Sequence, residues 1–138
     1  MFAGSGAIAI EFLNRGANKA YICDNSTKAI AQIEQNLEKT KLKEKAIIIK
    51  DEYKNCLREF FIRRLQFDII YLDPPYKGEM YEDTLEKIGE YNLLKQNGII
   101  IVETDEENVR EKIEKNAKIK YQIYDFRKYG RAYLIFLK

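Results

Sequence analysis

Phe67-Asp68-Ile69-Ile70-Tyr71-Leu72-Asp73-Pro74-Pro75-Tyr76 is the stretch from which the rest of this chain can be placed. Its first six residues form a nearly continuous apolar run, the mark of a strand buried in a parallel sheet. The tetrapeptide after it holds both prolines of the chain. A strand that runs into a carboxylate ends at the carboxyl edge of its sheet, where open α/β folds bind ligands. Asp73 and the carbonyl of Pro74 offer two acceptors to the two hydrogens of a planar amine. The prolines hold those acceptors in place, and Tyr76 can stack on a flat base. A delocalised exocyclic amine is a poor nucleophile, and two acceptors on its hydrogens favour the pyramidal, attacking form. A base must leave its helix or loop to reach such a grip. The bland alternative is a rigid turn.

Outward from this strand, apolar runs and helical patterns alternate, as in a parallel α/β sheet. Tyr21-Ile22-Cys23 and Ala46-Ile47-Ile48-Ile49 read as earlier strands, and Ile99-Ile100-Ile101-Val102 as a later one after an Asn97-Gly98 turn. Their unbroken hydrophobicity predicts helices on both faces. Ala29, Ile30, Ile33 and Leu37 repeat at helical spacing, as do Leu57, Phe60, Phe61 and Leu65, and Tyr81, Leu85 and Ile88. Ala7 to Arg15 reads as a helix stopped by Gly16, and Thr104-Asp105-Glu106-Glu107 as a capping box opening the last helix. Tyr121 to Phe126 and Ala132 to Leu137 are strand-like, with only Arg127-Lys128-Tyr129-Gly130 and Arg131 between them. They predict an antiparallel pair, so one strand runs against an otherwise parallel sheet. The expectation is a single α/β domain over residues 1–138.

Composition narrows the chemistry. The chain has no histidine and two cysteines, Cys23 and Cys56, which excludes histidine-based triads, histidine-containing metal sites and a structural zinc cluster. No metal is expected. Two cysteines in apparent regular structure read as reduced thiols of a cytoplasmic protein, and no apolar run approaches the roughly 20 residues of a membrane span. The net charge is +2, yet Arg110 to Lys138 holds nine Lys/Arg against three Asp/Glu. A basic end suits a polyanion such as RNA, or is a solvated surface. Arg127, Lys128 and Arg131 are its candidates for phosphate contacts.

A second motif stands near the start. In Phe2-Ala3-Gly4-Ser5-Gly6 the glycines allow a tight turn into a helix whose free N–H groups suit an anion. Asp24 ends the next strand, 20 residues after Gly4, where Rossmann-type folds place an acid on ribose hydroxyls. Asp51 follows the Ala46–Ile49 strand, where a carboxylate can accept from an adenine amine. Each acid alone reads equally as a helix cap. Glu103, at the end of the Ile99–Val102 strand, could face the site, but reads rather as support for the adjoining helix start.

These residues together resemble the RsmD-type 16S rRNA (guanine-N2) methyltransferases, class I enzymes dependent on S-adenosylmethionine. The resemblance is carried by Phe2-Ala3-Gly4-Ser5-Gly6-Ala7, Leu13-Asn14-Arg15-Gly16-Ala17, Asp24, Asn36-Leu37, Asp73-Pro74-Pro75-Tyr76 and Lys128-Tyr129-Gly130. It implies a Rossmann-like sheet and methyl transfer to a guanine of 16S rRNA, free or in a small-subunit assembly intermediate. It also implies cofactor contacts at Phe2, Ala3, Gly4, Gly6, Asp24, Asn25 and Asp51, catalytic roles for Asp73, Pro74 and Tyr76, and substrate contacts at Pro75, Tyr76, Arg127, Lys128 and Arg131. Asp-Pro-Pro-Tyr is shared with adenine-N6 DNA methyltransferases, which remain an alternative, as does an inactive RNA-binding remnant. Family members carry a further segment ahead of Met1, with the first half of the central strand. Here Met1, Phe2 and Ala3 stand for a strand that ordinarily takes about five or six residues, so the first strand is expected to be largely missing.

Overall fold

A computed structural model describes residues 1–75 and 79–138. The chain divides into two compact units, Met1–Cys56 and Leu57–Lys138.

In the first unit, α1 (Ala7–Asn14), β1 (Ala20–Asp24), α2 (Thr27–Thr40), a short 3-10 turn and β2 (Ala46–Lys50) follow in order, and α3 (Tyr53–Ile62) begins at its end. The two strands pair in parallel, with Cys23 opposite Ile49 and Asp24 opposite Lys50. Ile10 and Leu13 of α1 pack on Ile22 of β1 and on Ile33 and Leu37 of α2. The spacings of three and four place each set on one helix face. Burying each such side chain is worth about 1.5–3 kcal/mol relative to exposure. Ser26 caps α2, its hydroxyl accepting from the Ala29 N–H at 3.3 Å. Ahead of α1 the Ala3 N–H donates to the Cys23 carbonyl at 3.1 Å, but no strand is assigned there.

The second unit holds β3 (Phe67–Leu72), α4 (Met80–Glu90), β4 (Leu94–Thr104), α5 (Val109–Lys115), β5 (Ile123–Tyr129) and β6 (Ala132–Leu137). Its sheet has the order β3-β4-β6-β5. β3 and β4 are parallel, and β6 is antiparallel to both of its neighbours, so β6 alone is reversed within this sheet. One face is closed: Leu72, Ile100, Val102, Ile135 and Leu137 are buried, as are Leu85 and Ile88 of α4 and Val109 and Ile113 of α5. The other face is only partly covered, with Ile69 40 % exposed, where equal cover on both faces was expected.

The strands depart from expectation at two places. β4 starts five residues before Ile99 and runs through Asn97-Gly98. Its register jumps from Phe67 opposite Leu94 to Ile69 opposite Ile99, so the turn signal makes a bulge rather than a strand start. Asn97 takes φ +65, and a Cβ on Gly98 would lie 2.9 Å from the Lys95 carbonyl oxygen, so only glycine fits. β5 extends through Arg127, Lys128 and Tyr129, leaving Gly130-Arg131 as a two-residue turn with Gly130 at φ +59.

The helix ends are alike. In α1 to α4 the chain leaves through a residue at positive φ, Gly16, Lys41, Arg64 and Asn92 respectively. The next N–H, of Ala17, Leu42, Leu65 and Leu93, then bonds back to the carbonyl five residues earlier, which is the Schellman pattern. Leu65 therefore lies past the end of α3, not within it. Phe61 is 51 % exposed rather than core and stacks on Tyr91 with centroids 4.8 Å apart. The expected capping box does not form: the Thr104 hydroxyl accepts from the Glu106 N–H at 3.2 Å, while α5 starts later, behind Asn108, with no side-chain cap.

Candidate functional site

The first unit builds one cluster from its loops. Gly4 and Gly6 take φ +56 and +77, and the Gly6 N–H closes a turn onto the Ala3 carbonyl at 2.8 Å. A side chain on Gly6 would meet Ile33 at 3.2 Å, while the space around Gly4 is open. Gly6 precedes α1 without any side-chain cap, so the first turn of that helix presents N–H groups towards the loop. Asn36 of α2 fixes the loop from behind, donating to the Ser5 carbonyl at 2.9 Å.

Asp24 is the centre of this cluster. One carboxylate oxygen accepts the Gly4 N–H at 3.0 Å and the other the Ser26 N–H at 2.9 Å. The acid therefore braces the glycine loop against the start of α2, the cap-like role weighed for it, and each oxygen retains a second acceptor site. Asn25 donates to Glu52 at 3.0 Å. Asp51 accepts from the Glu52 N–H at 2.7 Å and from Asn55 at 2.8 Å. The Asn55 amide first, then the Glu52 N–H, hold its carboxyl below the ordinary carboxylate range. Phe2, at φ +58, places its ring 5.4 Å from that of Tyr53. Phe2, Ala3, Gly4, Gly6, Asp24, Asn25 and Asp51 thus belong to one linked set of loops. The sequence reading missed Glu52 and Tyr53, which follow Asp51 and carry no motif of their own. The cluster thus offers helix N–H donors at one end and the carboxylate acceptors of Asp24 and of the exposed Asp51 beyond them.

The second unit carries the Asp-Pro-Pro segment. Asp73 and Pro75 are exposed and Pro74 is buried; Tyr76 lies outside the described residues. Asp73 follows directly on β3, and its charge acts on the Tyr71 hydroxyl two residues earlier. Tyr71 donates its hydroxyl to Glu103, at the end of β4. Glu103 therefore faces the Asp73 side of the sheet and does not support the start of α5 as expected. Asp73 keeps solvent access, yet surrounding protein partly desolvates its carboxyl. That desolvation, then the Glu103 charge, pushes it above the ordinary carboxylate range. Among the described residues no donor is bonded to Asp73. Glu103 was misread because the signal beside it, Thr104 to Glu107, is that of a helix start.

The basic residues sit elsewhere. Glu103 pairs with Leu134 of β6, and Leu134 with Arg127 of β5, so Arg127 is two strand steps from Glu103, or about 10 Å at the usual strand spacing. Arg127 is bonded to Asp125 at 2.8 Å and lies 5.2 Å from the Phe136 centroid. Lys128 lies over Tyr133 at 5.3 Å, and Arg131 is exposed at the turn. Among the described residues no group of three or more Cys, Asp or Glu side chains could hold a metal ion. No helix is long and apolar enough to cross a membrane.

A mostly parallel sheet with a reversed β6, a glycine loop braced by the acid of the following strand, and Asp-Pro-Pro at a strand end define a class I methyltransferase fold. Within that class the chain belongs to the family described as conserved hypothetical protein 95, whose profile matches residues 1–138. It is 36% identical over 107 residues to the Bacillus subtilis protein named "Putative rRNA methyltransferase YlbH", covering 78% of this chain and 58% of that one. It is 32% identical over 107 residues to the ribosomal RNA small subunit methyltransferase D of Haemophilus influenzae, covering 77% of this chain and 55% of that one. A solved structure of a conserved hypothetical protein from Streptococcus pyogenes matches with TM-score 0.86 and 29% identity, covering 99% of this chain and 81% of the other. The chain thus spans little more than half the length of these curated relatives.

Proposed function

We propose that this chain is the catalytic part of an S-adenosylmethionine-dependent RNA methyltransferase that modifies the exocyclic N2 of a guanine in 16S rRNA, free or in an assembling small subunit, in the cytoplasm. The observation that carries the reading is Asp73: a partly desolvated carboxylate just past the end of a parallel strand, with no donor bonded to it among the described residues, followed by a buried proline. Its family membership and relatives named as rRNA methyltransferases support the substrate class. The single profile match over residues 1–138 supports one methyltransferase domain.

When bound, S-adenosylmethionine supplies a methyl group on a sulfonium, an electrophile that needs no acid from the protein. The N-terminus of α1 and the Gly4–Gly6 loop hold its carboxylate, Asp24 its ribose and Asp51 its adenine amine, with Phe2, Ala3 and Asn25 lining the same loops. Asp73 and the Pro74 carbonyl accept the two hydrogens of the guanine amine and orient its lone pair for in-line attack. Formation of the carbon–nitrogen bond would be matched by cleavage of the methyl–sulfur bond, whose electron pair stays on sulfur as a neutral thioether. Asp73 would take the proton that the amine must lose and release it to water. Its raised proton affinity suits that step. Pro75 and Tyr76 pack the base, while Arg127, Lys128 and Arg131 meet flanking phosphates.

The test offers the chain labelled S-adenosylmethionine with an unmodified 16S rRNA transcript, bare or bound by small-subunit proteins. The digested nucleosides are then separated. Label in N2-methylguanosine is the expected outcome. Label in N6-methyladenosine, or on duplex DNA only, would replace this reading with the adenine one, and cofactor binding without transfer would favour the RNA-binding remnant.

A further inference from the structure

We propose that Glu103 is a specificity residue for guanine: Tyr71 fixes one of its carboxylate oxygens, and the other accepts the N1–H of the base whose N2 amine Asp73 holds. The inference rests on the guanine reading above.

Register brings the two acids together. Tyr71 is opposite Ile101 and Leu72 opposite Val102, where the ladder ends; Asp73 and Glu103 are the residues that follow next on the two chains, near enough that the Glu103 charge acts on Asp73. The Tyr71 hydroxyl bonded to Glu103 fixes the side to which that acid points. Only the Oε2 atom of Glu103 receives that bond; among the described residues no donor is bonded to its Oε1 or to Asp73. No lysine or arginine of the described residues is ion-paired to either acid. Two carboxylates side by side, with no cation paired to either among the described residues, are unfavourable by themselves, and the upward push of Glu103 on Asp73 reflects this. A ligand that brings adjacent N–H donors relieves the strain.

Guanine is such a ligand. Its Watson–Crick edge carries the N1–H beside the N2 amine, two neighbouring donors facing two acceptors. Adenine carries an amine beside the bare lone pair of N1, so a base held by its N6 would turn that lone pair towards the Glu103 carboxylate. The acid thus attracts one purine and repels the other, and discrimination by repulsion is the more stringent half of such a device. Asp73 alone cannot distinguish the two, because both bases offer it an amine.

The variant Glu103→Gln keeps the shape and supplies an amide donor that can meet the adenine N1. It is assayed with labelled S-adenosylmethionine and the unmodified 16S rRNA transcript, and the products are resolved as N2-methylguanosine and N6-methyladenosine. We expect kcat/KM for guanine to fall at least tenfold and the adenine-to-guanine product ratio to rise at least tenfold, with calorimetric cofactor affinity within twofold of wild type. Tyr71→Phe, which frees the acid without removing it, shifts the ratio in the same direction by a smaller factor. A Glu103→Gln protein with unchanged kcat/KM and product ratio overturns the proposal. So does a loss of rate with an unchanged ratio, which would mark Glu103 as structural. If Glu103→Gln does not fold, the ratio measured for Tyr71→Phe and Glu103→Asp decides in the same way. A wild-type chain that makes no N2-methylguanosine refutes the underlying reading itself, a result visible before any variant is made.

Discussion

Asp24 and Asp73 occupy the same place in their strands and are held in opposite ways. Asp24 ends β1 with a backbone N–H on each oxygen, whereas Asp73 follows β3 with no protein donor among the described residues. The first acid is a bracket that sets the shape of a loop whether or not anything is bound. The second is an acceptor that no donor among the described residues fills. An acid at a strand end therefore has two possible jobs, and the donors already bonded to it tell them apart.

The contrast is broken most directly by removing each acid. Asp73→Ala should lower methyl transfer by about 10²–10⁴-fold, the usual range for a group acting on the reacting proton. It should leave urea-denaturation stability and calorimetric cofactor binding near wild type. Asp24→Ala should instead lower stability and cofactor binding together. It strands the Gly4 and Ser26 N–H groups, and unfolding should cost about 1–3 kcal/mol less, discounted towards the lower end by solvent access at this edge. Equal stability losses for the two variants would erase the distinction. Gly6→Ala sharpens it, since φ +77 and the Ile33 contact at 3.2 Å should cost about 1–2 kcal/mol while sparing Asp73, measured in the same urea series.

The smallest effects are in the pH dependence, where the signs differ between acids. Asp73 must be ionised to accept from the amine, and its carboxyl is pushed up, first by partial desolvation and then by Glu103. The transfer rate should therefore fall on the acid side at a pH above the ordinary carboxylate value of about 3.9. Asp51 is held down by Asn55 and the Glu52 N–H. Its contribution to stability is present above the unfolded-state pKa and is lost only as pH falls through its lower folded value. Asn55→Ala should move the Asp51 titration, followed by carboxyl NMR shifts, upwards towards the unfolded value. An unmoved titration would show that Asn55 does not hold that acid.

Much of this was legible because it is local. The bounds of β3 coincide with its apolar run, the acids at strand ends follow from those bounds, and the reversed β6 follows from a connection too short for a helix. What was misread depends on partners far along the chain. Asn97-Gly98 has the residues of a turn, and only pairing with Phe67 and Ile69 makes it a bulge in β4. Glu103 stands beside four residues that imitate a helix cap, and only the ladder to β3 with the Tyr71 hydroxyl assigns it to the other side. The pairing of strands into separate two- and four-stranded ladders likewise has no local mark, because backbone pairing between distant segments leaves no residue pattern of its own.

The four matching helix ends have a consequence for how this chain measures its own elements. Glycine bends the chain at only one of them; lysine, arginine and asparagine serve at the others, although a left-handed side chain costs about 1–2 kcal/mol. What recurs is the apolar residue just beyond the bend: Ala17, Leu42, Leu65 and Leu93. The punctuation of these helices is thus written in the residue after the stop. A polar substitution at Leu42 or Leu93, both outside any helix, would blur helix length more than a change at the bend itself.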